Sequence, residues 1–67
     1  MATYKVQKID LTYVGTIDEY HHAINESEIR YCEGLKEVEK YCGGKLHKQR
    51  NGYSGVKGNI EYIAERI

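Results

Sequence analysis

Two cysteines, three histidines and a glycine-spaced loop carry the most obvious reactive chemistry in these 67 residues. Cys32 and Cys42, with His21, His22 and His47, offer metal ligands or a thiol–imidazole pair. Their spacing supports neither. No CxxC or HxxxH pattern occurs, and adjacent histidines on a strand point to opposite faces. Both cysteines fall on the apolar side of a predicted helix, where a buried thiol is inert. Ser54 sits among glycines but lacks a G-x-S-x-G context. The expectation is a protein that is not an enzyme and uses no metal or cofactor.

The loop Gly52-Tyr53-Ser54-Gly55-Val56-Lys57-Gly58 lets backbone approach an anion closely. It lacks the GK[ST] ending of a P-loop, and it opens no long helix as a dinucleotide fingerprint would. Charge says more. Ten basic and ten acidic residues cancel overall. Residues 9–42 hold eight acids and three bases, a net −5, whereas residues 43–58 hold four bases and no acid. One reading makes the basic segment a binding site for nucleic acid or nucleotide, through Lys45, His47, Lys48, Arg50 and Lys57, with Tyr53 as a stacking ring. An alternative reading presents Glu33, Glu37 and Glu39 as an acidic helix face to a basic partner. The plainest reading is two solvated surfaces, since most charge runs are no more than that.

The elements that must position these groups follow from periodicity. The clearest is a helix from about Glu26 to Cys42. Asn25 and Glu28 have capping-box spacing, and Ile24 with Ile29 makes a hydrophobic staple. Tyr31, Leu35, Val38 and Cys42 form an apolar stripe, and Gly43-Gly44 ends it as a C-cap. Ten positions apart on that helix, the two cysteines would lie roughly 15 Å apart, too far for a disulfide. Thr3 to Val14 reads as a strand. Tyr4 and Val6 alternate in one phase and Ile9, Leu11 and Tyr13 in the other, which predicts a bulge near Gln7-Lys8. Residues 17–24 fit either a strand or a helix capped by Thr16 and Glu19, and strand is preferred. Lys45 to Arg50 is a short strand, and Asn51-Gly52 is a hairpin signal. An alternative puts a longer loop over Ser54 to Gly58. The tail, residues 59–67, fits a helix through Ile60, Ile63, Ala64 and Ile67 or a returning strand through Ile60, Tyr62 and Ala64, and strand is preferred.

These elements predict a single small domain over residues 1–67. Its class is α+β, a small antiparallel sheet with one helix packed on a face, in the order ββαββ. Fourteen Ile, Leu and Val residues and seven Tyr suffice for one modest core. Two or three of the tyrosines should be exposed, favouring a contact surface. No apolar run approaches the ~20 residues of a membrane span, and the opening residues lack a signal-peptide core, so a cytoplasmic setting without membrane contact is expected. An open sheet edge makes a homodimer an attractive arrangement. The functional expectation is a small regulatory or inhibitory protein, of the kind common in phages by size alone, acting by protein–protein contact. Nucleic-acid or nucleotide binding through residues 45–58 is the alternative.

Overall fold

The computed structural model describes residues 2–67. Seven elements run in chain order: β1 (Thr3–Asp10), α1 (Ile17–Asn25), β2 (Glu28–Glu33), α2 (Leu35–Cys42), β3 (His47–Gln49), β4 (Gly52–Lys57) and β5 (Ile60–Arg66). The strands form one antiparallel sheet in the order β2-β1-β5-β4-β3. The α+β class, the antiparallel sheet and the C-terminal strand agree with expectation. The ββαββ order with one helix does not: there are two helices.

The predicted helix over residues 26–42 is two elements, β2 and α2, preceded by the C-cap of α1 at Glu26. Asn25 is the last residue of α1 rather than an N-cap. The capping box in use is the earlier one, where the Glu19 N–H donates to the Thr16 hydroxyl at 3.2 Å and the Gly15 N–H donates to the Glu19 carboxylate at 3.1 Å. Residues 17–24 are thus helical, not a strand. Ser27 closes α1 by donating to the Ile24 carbonyl from both its hydroxyl and its N–H. The chain then extends, because β1 needs a partner on its free edge, and Glu28–Glu33 supplies it in unbroken register. Gly34, at φ 82°, breaks that strand and starts α2, a conformation no helix interior accommodates.

The bulge expected at Gln7-Lys8 is absent. Partners run consecutively along β1, from Tyr4↔Arg66 to Asp10↔Ile60. The phase change has a different cause: the sheet is apolar on both faces, at different places. Tyr4, Val6, Cys32, Tyr62 and Ala64 point to one side, where α2 lays Val38 and Cys42 on them. Ile9 points to the other side and is fully buried. That side is the one α1 approaches. There the Tyr20 hydroxyl reaches the Glu61 carboxylate at 2.6 Å, and Glu61 is the register partner of Ile9.

The last three strands join by tight turns. The hairpin turn is Arg50-Asn51, one position before the predicted pair, because Gln49 pairs with Gly52. Gly58-Asn59 makes the second turn, with Gly58 at φ 63°, so residues 54–57 are strand and not a long loop. Gly52 is required by space: a Cβ there would run into the Ala64 carbonyl of β5. Gly58 has nothing within 4 Å of such a Cβ. Domains of this length hold roughly 3–10 kcal/mol of stability in total. Urea unfolding should therefore show about 1 kcal/mol lost in Gly58→Ala, about 3 kcal/mol in Ile9→Ala, and no cooperative transition in Gly52→Ala. Equal midpoints for the two glycine variants would contradict the close approach of β4 to β5.

Candidate binding surfaces

The six residues of the basic segment do not form one patch. Lys48 and Tyr53 are register partners and share the α2 side of the sheet. His47 pairs with Ser54 and faces the opposite side. Lys57 lies at the far end of β4, where its ammonium donates to the Lys45 carbonyl at 3.1 Å. A cleft of about 450 Å³ brings together Lys48, Arg50 and Tyr53 and excludes Lys45, His47 and Lys57. It adds two residues the sequence reading missed, Tyr4 and Arg66, each from a strand distant in the chain. Their signal was register: Tyr4 pairs with Arg66, and the Arg66 N–H donates to the Asn51 carbonyl at 2.7 Å, seating β5 on the turn that carries Arg50. The Tyr4 and Tyr53 rings meet edge to face at 6.0 Å.

The acidic helix face is dissolved by the fold. Glu33 lies on β2, where its carboxylate accepts from the Thr3 hydroxyl at 3.0 Å. Glu37 and Glu39 lie on α2, about 200° apart around its axis. Exposed Lys36 and Lys40 alternate with them, so α2 has no net charge. The two charge poles shrink to a net −1 on β2, where Arg30 lies between the acids, and +1 on β3. Glu28 and Glu33 sit on the β2 margin, and Lys48 sits on the β3 margin at the opposite end. Among the described residues the single ion pair is His22–Glu26 at 3.2 Å, between exposed side chains.

A larger cavity of about 610 Å³ lies beside α1, lined by Asp10, Asp18, Glu19, His22 and Glu26 with Tyr13. Its acids are partly committed to local structure. Asp10 accepts from the Thr12 N–H and hydroxyl, which holds its carboxyl below its ordinary value, and Glu19 belongs to the cap. Among the described residues, no three His, Cys, Asp or Glu side chains converge in a way that would hold a metal ion.

Beyond the reach of α1, its side of the sheet is bare. Ile29 and Tyr31 on β2 and Val56 on β4 are 49%, 60% and 59% exposed, with half-buried Ile63 in the same row as Ile29. Tyr13 and Tyr31 are the two exposed tyrosines. The margins of the sheet differ. β3 has three residues, including Lys48, whereas β2 has six, free of Gly, Pro and Lys. Short strands and charged side chains, lysine above all, blunt an edge against pairing; β2 has the length to pair but also carries Glu28, Arg30 and Glu33.

Cys32 and Cys42 are both free and buried, on different elements of one core rather than on one helix. Desolvation raises both thiols, Cys42 to about 11 with help from neighbouring Cys32. Tyr41 is raised to about 12 by burial and by its 2.9 Å bond to the Glu28 carboxylate, while Arg30, 4.9 Å above its ring, opposes this. Tyr20 reaches about 12 through its bond to Glu61.

The chain matches no protein-family model, no curated protein and no solved structure. Among the described residues no helix is long and apolar enough to cross a membrane.

These groups set an alkaline limit. Each is neutral when protonated and its folded pKa is raised, so its stabilisation is complete below the ordinary value and disappears as pH rises through the folded one. The thermal midpoint by circular dichroism should hold up to about pH 9, then fall steadily towards pH 12. Tyr20→Phe and Tyr41→Phe together should flatten the part of the fall above pH 10. An unchanged slope in that double variant would show that neither hydroxyl contributes.

Proposed function

We propose that the protein is a non-enzymatic binding module, a small regulator or inhibitor that acts by protein–protein contact through the bare side of its sheet. The observation that carries this reading is the exposed set Ile29, Tyr31 and Val56 on one face, flanking half-buried Ile63. Burying what these side chains still expose would contribute up to about 1.5–3 kcal/mol each, and exposed apolar side chains gathered on one sheet face favour a contact surface. Two of them, Ile29 and Tyr31, stand on β2, the longer of the two margins of the sheet. Lys5 and Gln7 of β1 lie between these two and Ile63.

The partner this surface fits presents an extended, apolar segment. Pairing along β2 supplies main-chain hydrogen bonds, and Ile29 and Tyr31 then pack against the alternate side chains of the added strand. A second copy of the chain could offer such a strand, its own β2, which is the form a homodimer would take. A reducing, cytoplasmic setting fits the two free thiols.

Affinity capture from the native cell, paired with light scattering of the purified chain, tests the reading. Ile29→Lys and Tyr31→Glu alter exposed side chains and should leave the melting temperature within about 2 °C. Each should weaken capture of the partner, or self-association, at least tenfold, or ~1.4 kcal/mol. Capture and oligomeric state unchanged in both variants would refute this surface.

A further inference from the structure

We infer that the cleft on the α2 side of the sheet binds single-stranded nucleic acid, holding a phosphodiester between Arg66, Arg50 and Lys48 and an unpaired base against Tyr53. This site is separate from the proposed protein surface, because Tyr4, Tyr53, Lys48 and Arg66 share one side of the sheet while Ile29, Tyr31 and Val56 share the other.

Three cations from two distant parts of the chain line this cleft, and no Asp or Glu side chain lines it. Among the described residues, no lysine or arginine has a carboxylate within 4.0 Å. The cleft cations therefore spend none of their charge internally. Two of the three are guanidinium groups, whose planar forks match phosphate oxygens in pairs. The backbone beneath them is fixed. β5 is bonded to the Asn51 carbonyl, and the Ile67 N–H donates to the Thr3 carbonyl at 2.9 Å, so Arg66 lies between two anchored points.

The aromatic part favours a nucleic acid over an acidic peptide. Tyr53 is half-buried and braced edge-on by buried Tyr4, so its ring is held in place before any base arrives. Stacking on such a ring tolerates any base, and each stacked base contributes about 1–3 kcal/mol. Concavity favours a single strand over a duplex. A space of about 450 Å³ admits an unpaired nucleotide, whereas duplex bases are stacked inward and its phosphates are spread along a convex surface. With no net charge on the chain, attraction is local to the cleft and should be screened by salt.

The basic segment supplies its own controls. Lys45 and Lys57 belong to it and lie outside the cleft. The test is fluorescence anisotropy of a labelled oligothymidylate with the full chain, titrated over a range of salt. Three phosphate contacts to a single strand predict a log–log slope of about −2. Arg66→Glu and Lys48→Glu should each weaken binding at least tenfold, and Tyr53→Leu at least fivefold. Lys45→Glu and Lys57→Glu should stay within twofold of the parent, and thermal melts confirm that each variant folds. The inference is overturned by a flat salt response, by equal losses in Lys57→Glu and Arg66→Glu, or by polyglutamate or duplex DNA competing as well as the single strand.

Discussion

β1 is hydrogen-bonded along both of its edges, to β2 on one side and β5 on the other. That double demand organises the molecule. A central strand cannot leave its N–H and C=O groups unpaired in a sheet that buries them. The chain after α1 therefore extends over Glu28–Glu33, although its apolar spacing suits a helix. Once β2 is in place, Gly34 must turn the chain sharply, and α2 has only eight residues in which to cross the sheet. Val38 and Cys42 then close the core over Tyr4, Val6 and Ala64.

Parity along β1 decides how the two faces are shared. Tyr4 and Val6 fall on one side and Ile9 on the other, so a single strand contributes to two separate burials. Each helix covers the side it can reach. α1 is nine residues long, is wholly without buried positions, and shelters only the end of its face near Ile9. The remainder of that face keeps Ile29, Tyr31 and Val56 in contact with water. The opposite face is closed by α2 and by Leu46 of the segment after it, which lies over Gly55, except near the Arg50-Asn51 turn, where the basic cleft opens. Both candidate surfaces are thus the parts of one sheet that two short helices leave uncovered.

Local chemistry was readable where neighbours in the chain decide the outcome. Gly43 takes the left-handed cap at φ 78° that Gly43-Gly44 implies, and the Thr16–Glu19 spacing is a working capping box, although strand is the preferred sequence reading of residues 17–24. Reading failed where a distant partner decides. Leu35, Val38 and Cys42 keep true helical spacing within α2, whereas Tyr31 continues that spacing only in the sequence, since it lies on β2 and faces the opposite, bare side of the sheet. Periodicity cannot register the positive φ of Gly34 or the pairing with β1. The candidate cleft shows the same division. Lys48, Arg50 and Tyr53 stood together in the chain, whereas Arg66 and Tyr4 join them only through register. Glu33, Glu37 and Glu39 were separated when the long helix proved to be a strand followed by a shorter helix.

The inequality of the two sheet margins bears on how copies of this chain can accumulate. β3 is three residues long and carries Lys48, while β2 is six residues long, with Ile29 and Tyr31 between the charged Glu28, Arg30 and Glu33. A sheet with two joinable margins can add copies without end and grow into a fibre. In the proposed pairing through β2, a twofold contact would use that margin up in both participants. Growth would then stop at a closed pair, with no exposed end for another copy to extend.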